Sequence, residues 1–168
     1  MGLFDKFKKK TEAAPSAAPE IKGIAAPVSG SVVAQKDLND PVFSQGIMGL
    51  TLGIEPKEDG RVCSPVRGTV SMVFPTGHAV GLKAEDGTEV LIHIGIDTVK
   101  LNGKGFTLNV KDGDSVGQGD LLVTYDPAFV RSNSLDAVVM VILTDQAGHN
   151  WQPTNKTEVS RGEALFTE

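Results

Sequence analysis

The chain has 168 residues, 40% of them hydrophobic and 22% charged, which is typical of one globular domain with a sizeable core. No apolar run approaches the roughly 18 residues of a membrane span, and the N-terminal lysines precede no apolar signal region, so we expect a cytoplasmic protein. The net charge of −5 argues against nucleic acid as a partner. Cys63 is the single cysteine, which excludes an intrachain disulfide and favours a small buried filler.

The first ten residues form a short basic stretch that differs from the rest of the chain. They hold four of the 16 basic residues and one of the 21 acidic ones, so the remainder carries 12 basic and 20 acidic residues. With Leu3, Phe4 and Phe7 at helical spacing, the stretch fits a weak membrane-surface helix or a disordered terminus. Because residues 11–20 read as an Ala/Pro linker, we predict a tail and linker over 1–20 and a single domain over 21–168.

The body of the chain is predicted to be all-β. Residues 26–33 (APVSGSVV) are repeated 38 positions later at residues 64–71 (SPVRGTVS), each time as a strand entering a glycine bend. Residues 110–123 add short strands between turn signals, and such spacing favours an antiparallel sandwich or barrel, a barrel-sandwich hybrid with few short helices. One helix is predicted over 127–135 and a central strand over 137–143.

Residues 77–99 predict a β-hairpin with a histidine on each arm. The Asp-Gly pair at 86–87 is a strong two-residue turn signal between apolar runs. Such a loop places Val80 opposite His93 and leaves His78 one diagonal step away on the same face, roughly 7–8 Å distant. An odd-length loop or a bulge would break this register. The sequence therefore predicts two adjacent imidazoles.

Adjacent imidazoles suit three kinds of chemistry: metal binding, acid–base work near neutral pH, or nucleophilic attack by one ring while the other contacts the transferred group. Thr76 either fixes the tautomer of His78 through its hydroxyl or is an ordinary turn residue. His149, the third histidine, is expected to be a solvated loop residue without a role. Alternation along the second arm leaves His93 on the open face and directs three apolar side chains to the core: Val90, Ile92 and Ile94.

Three segments together resemble the glucose-type enzyme IIA of the bacterial phosphoenolpyruvate-dependent sugar phosphotransferase system. Residues 91–101 read LIHIGIDTVKL and, with GKGF at 103–106, look like the family's main histidine signature. Residues 74–79 (FPTGHA) resemble the segment of the second histidine, and residues 40–49 (DPVFSQGIMG) resemble the partner-facing segment. The resemblance covers residues 24–168, and the first motif is long and specific.

The resemblance implies that His93 accepts a phosphoryl group on Nε2 from the phosphocarrier protein HPr and passes it to a cysteine of the IIB domain of a sugar permease. It implies that His78 supports this transfer without carrying phosphate, and that Thr76 belongs to the same hydrogen-bond network. No cofactor is required, although in some members the two histidines share a zinc ion with a partner protein. We further expect a monomer, regulatory protein partners, and a peripheral position at the inner face of the membrane.

The resemblance also implies a docking surface, which we expect to be an apolar patch with Asp40 and Asp97 at its rim. The acidic body suits a basic partner that is steered to this surface. The alternative is that the apolar candidates belong to the core, and it is strongest for Ile47 and Phe74. The apolar candidates are Val42, Phe43, Ile47, Met48 and Phe74.

Two other classes of function were compared with this interpretation. The spacing of His93 and Asp97 matches the His-x-x-x-Asp motif of a lysostaphin-type zinc peptidase. However, the His-x-His pair of that family is missing, and a catalytic zinc needs three protein ligands. A biotinyl or lipoyl carrier is suggested by residues 110–123, which lack a lysine at an exposed hairpin tip. One departure affects the main interpretation: Leu50 and Thr51 stand where enzyme IIA usually has Asp-Gly, so a different loop shape or partner preference is expected.

Overall fold

The computed structural model describes residues 20–57 and 60–168, which form antiparallel β-structure with a few short helices. Of the region predicted as tail and linker, all but Glu20 lies outside the described residues. No helix within the described part of the chain is long and apolar enough to cross a membrane. The α-helices are α1 (Pro41–Ser44) and α2 (Pro127–Ser132), and 3₁₀ helices span Gln35–Asp37 and Thr98–Leu101. The strands are β1 (Ile24–Ala25), β2 (Gly30–Val33), β3 (Leu50–Pro56), β4 (Arg61–Cys63), β5 (Gly68–Val73), β6 (Ala79–Ala84), β7 (Glu89–Ile96), β8 (Phe106–Leu108), β9 (Ser115–Val116), β10 (Leu121–Tyr125), β11 (Asp136–Asp145), β12 (Gln152–Pro153), β13 (Glu158–Val159) and β14 (Ala164–Thr167).

The strands form one large sheet and two small ones. The large sheet has eight strands in the order β13-β2-β3-β11-β7-β6-β5-β9, and the small sheets are β1-β14-β12 and β4-β10-β8. Every pairing is antiparallel, so the predicted all-β sandwich class is confirmed. The predicted central strand is also confirmed, because β11 lies between β3 and β7. The predicted helix is present as α2 but ends at Ser132, since Ser134 adopts a positive φ of 61°.

Strand β11 is buried on both faces and separates two hydrophobic clusters. Alternate residues Val139 and Val141 join the main core, which the large sheet shares with the small sheets. Met140 and Ile142 point the other way, into a smaller cluster with Leu38, Phe43, Ile96 and Val138. Leu38 and Phe43 come from the segment between β2 and β3, so this segment packs on that face of the large sheet. Cys63 is free and buried in β4, as expected.

The internal repeat has a steric explanation at its two glycines, which begin β2 and β5. A Cβ at Gly30 would lie 2.0 Å from the carbonyl oxygen of Glu55, and one at Gly68 would lie 2.0 Å from that of Lys83. In each copy the neighbouring backbone occupies the space of a side chain, so only glycine fits.

The hairpin of β6 and β7 is present, but its predicted register is wrong by one residue. His93 pairs with Ala79, and Val80 pairs with Ile92. The cause is a three-residue loop over 85–87, in which Gly87 has φ +94°. Three-residue hairpin loops typically consist of a type I turn followed by one residue in the left-handed conformation. The alternation along β7 is as predicted, with Val90, Ile92 and Ile94 buried and His93 on the more open face.

The departure at Leu50 and Thr51 lies in a strand. Both residues begin β3, where Leu50 pairs with Leu143 and Thr51 with Ile142 of β11. Thr51 is buried, and its hydroxyl donates to the carbonyl of Gly49 at 3.0 Å. At this departure from the family pattern, Leu50 and Thr51 therefore pair regularly with β11.

Candidate functional site

The position of a single proton defines the chemistry of His93. Its Nδ1 lies 2.8 Å from the carbonyl oxygen of Gly95. A carbonyl oxygen only accepts hydrogen bonds, so in the neutral ring Nδ1 carries the hydrogen and donates it. The lone pair is then on Nε2, which makes that atom the nucleophile or metal ligand of the ring.

Gly95 presents this carbonyl through a backbone conformation that suits glycine. Its φ is +76°, and a Cβ would lie 2.4 Å from Cγ2 of Thr98 and 2.8 Å from the carbonyl oxygen of Asp136. The hydroxyl of Thr98 donates to the carbonyl of Ile94 at 2.5 Å, which fixes the bend after β7. The sequence analysis assigned no role to Gly95. Its position two residues after His93, within the motif of residues 91–101, could have indicated one.

His78 lies in the turn between β5 and β6 and is only 4% exposed. Its Nδ1 is 2.6 Å from the hydroxyl oxygen of Thr76, the contact expected for a residue that fixes the tautomer. The centroids of the His78 and His93 rings are 5.3 Å apart, at an interplanar angle of 75°. The histidines are adjacent despite the shifted register because His78 precedes β6, where strand alternation does not set its direction.

Both imidazoles are held neutral near pH 7. Burial and the neighbouring His93 ring lower the pKa of His78 to about 4. Burial also lowers the pKa of His93, and the Gly95 carbonyl, Asp40 and Asp97 oppose that shift without cancelling it. A neutral ring keeps the Nε2 lone pair available, so the environment favours a nucleophile.

Aromatic rings enclose the histidine pair. The ring of Phe74 contacts His78 edge-on at 5.0 Å between centroids, and the ring of Phe43 contacts His93 at 5.1 Å. Phe43 is only 7% exposed. Its expected place on an exposed patch is therefore wrong, because Phe43 is buried beside the His93 ring.

Apolar side chains are exposed around this pair. The patch candidates other than Phe43 are exposed, including Ile47 at 67% and Phe74 at 38%. Asp40 caps α1 by accepting from the backbone N–H of Val42, and Asp97 precedes the 3₁₀ helix Thr98–Leu101 with φ 62°. Two further exposed residues, Met72 and Val99, were not predicted. We call this set the exposed apolar patch: Val42, Ile47, Met48, Met72, Phe74 and Val99.

His149 lies in a partly exposed loop after β11, as expected, and it contacts two carboxylates there. Its Nδ1 lies 2.8 Å from a carboxylate oxygen of Glu168, and its Nε2 lies 3.5 Å from a carboxylate oxygen of Asp86. The hydrogen bond to Glu168 raises the pKa of His149. The ring also packs against Trp151, so His149 joins the hairpin turn to the end of the chain.

Metal chemistry has little support from the ligand set. Within residues 20–57 and 60–168, no group of three or more His, Cys, Asp or Glu side chains could hold a metal ion. The histidine pair supplies two ring nitrogens, and a catalytic zinc needs three protein ligands. The zinc peptidase alternative is therefore not favoured.

Comparison with known proteins agrees with this geometry. The family model for the EIIA 1 component of the phosphoenolpyruvate-dependent sugar phosphotransferase system matches residues 22–148. A glucose-specific EIIA component from Staphylococcus epidermidis is 47% identical over 139 residues, which cover 83% of this chain and 82% of that protein. The solved glucose permease IIA from Mycoplasma capricolum has a TM-score of 0.81 and 32% identity, over 89% of this chain and 96% of its own.

Another relative is a longer protein, of which only one segment is similar to this chain. The beta-glucoside-specific EIIBCA component of Bacillus subtilis is 43% identical over 144 residues, which are 85% of this chain and 24% of that protein. The present chain thus spans about a quarter of it. These matches define a β-sandwich phosphocarrier. The chain belongs to the EIIA family of the sugar phosphotransferase system, and it is a phosphotransferase component of that system.

Proposed function

We propose that Nε2 of His93 accepts the phosphoryl group from phospho-HPr and passes it to a cysteine of the IIB domain of a sugar permease. The hydrogen bond from Nδ1 to the Gly95 carbonyl carries this proposal, because it leaves the Nε2 lone pair free. On acceptance, the N–P bond of phospho-HPr breaks and an Nε2–P bond forms. The reaction needs positioning and charge stabilisation, and the neutral His93 supplies the electron pair.

His78 is the donor that stabilises the transferred group. If the Thr76 hydroxyl donates to Nδ1 of His78, the ring hydrogen lies on Nε2, which is the remaining nitrogen beside His93. An N–H donor aimed at a phosphoryl oxygen lowers the barrier as charge spreads over the equatorial oxygens. Burial of His78 keeps its ring in one orientation, so the donor is in place before the phosphoryl group arrives.

The exposed apolar patch is the docking surface for both partners. Apolar side chains surround the site, and Asp40 and Asp97 contribute negative charge beside them. A basic partner surface complements this charge and speeds the encounter. The glucose-specific names of the relatives support a glucose permease as acceptor, and the EIIBCA relative supports a IIB domain.

Several finer properties belong to the same proposal. The protein acts as a cytoplasmic monomer, with residues 1–10 in weak contact with the inner membrane surface and regulatory proteins as further partners. Zinc is not needed for transfer. Nε2 of His93 would bind a zinc ion whose other ligands come from a partner. Nε2 of His78 would join it only in the other tautomer, in which Nδ1 of His78 donates its hydrogen to the Thr76 hydroxyl.

The test of the acceptor uses phosphoenolpyruvate, enzyme I and HPr, followed by intact mass measurement. We expect wild type to gain one phosphate and His93→Ala to gain none, because no other nitrogen has the same free lone pair in the site. His149→Ala is the matched control, since it removes a histidine bound to Glu168 outside the site. Continued labelling of His93→Ala would reject the assignment.

A second test separates acceptance from donation. His78→Gln retains an N–H, so it should still accept phosphate. The amide is not held by Thr76 as the ring is, so the variant should pass phosphate to the IIB domain about 10²–10³-fold more slowly, the usual effect of losing one preorganised donor. Thr76→Val should slow donation as well, whereas Thr76→Ser should restore it because the hydroxyl returns. Normal donation by His78→Gln would remove His78 from the mechanism.

A further inference from the structure

Sulfur atoms are unevenly protected in this protein. The chain has four methionines, of which Met1 lies outside the described residues. Met48 is 38% exposed and Met72 is 41% exposed, whereas Met140 is 0% exposed. Cys63, the single cysteine, is 5% exposed in β4. Two thioethers are therefore open to small reagents in solution, while the other described sulfur atoms are shielded.

Strand pairing places Met72 on the same sheet face as His93. Met72 pairs with Gly81 of β6, and Gly81 pairs with Leu91 of β7. A Cβ on Gly81 would lie 2.8 Å from Cγ of Met72, so the methionine side chain covers the space left by that glycine. Leu91 and His93 are two residues apart in one strand and share a face. Met72 therefore extends the exposed apolar patch across the sheet from the histidine.

Met48 is the second exposed methionine. It follows α1 in the segment that carries Phe43 against the His93 ring. The backbone N–H of Ile47 donates to the carbonyl of Val42 at 3.2 Å, so the chain turns back over the helix and leaves Ile47 and Met48 exposed. One accessible thioether thus lies on the sheet face of His93, and the other lies in the segment whose Phe43 contacts the His93 ring.

We propose that Met48 and Met72 form an oxidation-sensitive site on the docking surface, where peroxide converts thioether to sulfoxide and slows phosphoryl transfer. The inference rests on the proposed docking surface. In each step the sulfur lone pair attacks one oxygen of hydrogen peroxide, an S–O bond forms and the O–O bond breaks. Water leaves after proton transfer, the sulfur is oxidised by two electrons and the peroxide is reduced.

The consequence follows from the polarity of the product. A thioether packs well against apolar surfaces, whereas a sulfoxide is polar and chiral at sulfur. A partner that covers Met48 and Met72 would have to desolvate two S=O groups, and such burial is unfavourable unless hydrogen bonds replace the water. The histidine chemistry itself is unchanged, so the defect appears in docking.

The experiment treats the full chain alone with hydrogen peroxide, removes the peroxide with catalase, and then adds enzyme I, phosphoenolpyruvate and HPr. Peptide mass mapping should show sulfoxide at Met48 and Met72 before Met140, which is the buried control. Each protein's transfer rate at subsaturating HPr is divided by its own rate before oxidation. We expect this ratio to fall roughly tenfold for wild type and to stay near one for the double variant Met48→Leu, Met72→Leu.

Methionine sulfoxide reductase should restore the wild-type rate, which distinguishes sulfoxide from irreversible damage. The double variant retains Met1 and Met140, so an equal loss of rate in that variant would overturn the proposal. Equal oxidation of Met140 and Met72, or full oxidation without any change in rate, would overturn it too. Failure of the proposed function is separate, because it would appear as no phosphate gain before any peroxide is added.

Discussion

At the residue scale, the buried His78 should make stability depend on pH. Its pKa is about 4 in the folded chain, below the roughly 6.5 of an unfolded histidine, so between these values the unfolded chain binds more protons. The stabilising effect is complete above pH 6.5 and is lost as pH falls toward 4, by ~3 kcal/mol for this one group. Urea denaturation of wild type and His78→Gln at pH 7 and pH 4 measures the difference. An identical loss in both proteins would contradict this expectation.

Gly95 should be needed for both stability and the orientation of His93. Gly95→Ala places a Cβ at φ +76° and against the Asp136 carbonyl, and we expect a loss of about 2–4 kcal/mol in the free energy of unfolding together with slower phosphorylation. Gly113→Ala is the matched control, because Gly113 has φ +89° but nothing within 4 Å of a Cβ. It should cost about 1–2 kcal/mol and leave phosphorylation unchanged. Equal effects of the two variants would show that crowding at Gly95 has no role.

At the element scale, α1 and the segment that follows it should carry the docking contacts. HPr should shift the amide NMR signals of the exposed apolar patch, with affinity that weakens as salt rises because Asp40 and Asp97 attract basic groups. Ile47→Gln should raise the Kd about tenfold with little change in stability, since Ile47 is 67% exposed. Shifts concentrated instead around Asp86, at the opposite end of the hairpin, would place docking elsewhere.

At the scale of the whole molecule, the N-terminal residues should affect membrane contact and leave the chemistry intact. The deletion is placed before Glu20, because its carboxylate pairs with Arg67 on the body. Removing residues 1–19 should spare phosphorylation by HPr and reduce co-sedimentation with anionic vesicles at low salt, to which each basic residue near the surface adds about 1 kcal/mol. If the full chain fails to bind such vesicles, the anchoring proposal is rejected.

Local sequence predicted several elements of this protein and the histidine pair of its candidate site. Turn residues and alternation predicted the hairpin, the buried face of β7 and the central strand β11, because these depend on neighbours along the chain. The glycine repeat predicted two similar strand entries, although the carbonyls that exclude a side chain at Gly30 and Gly68 come from distant residues. The family resemblance added what periodicity cannot supply, namely the class of reaction.

Tertiary structure decided the details that turn these residues into a site. The register of the hairpin depended on Asp86, which does not adopt the positive φ that a two-residue type I′ loop over 86–87 requires. The place of Phe43 in α1 depended on burial against the His93 ring of β7. The place of His149 depended on carboxylates from the hairpin turn and from the chain end. The tautomer of His93 is set by the Gly95 carbonyl, whose direction is fixed by the packing of Thr98 and Asp136. The contacts of Phe43, His149 and Asp136 join segments far apart in sequence, so the pattern of any one segment does not contain them.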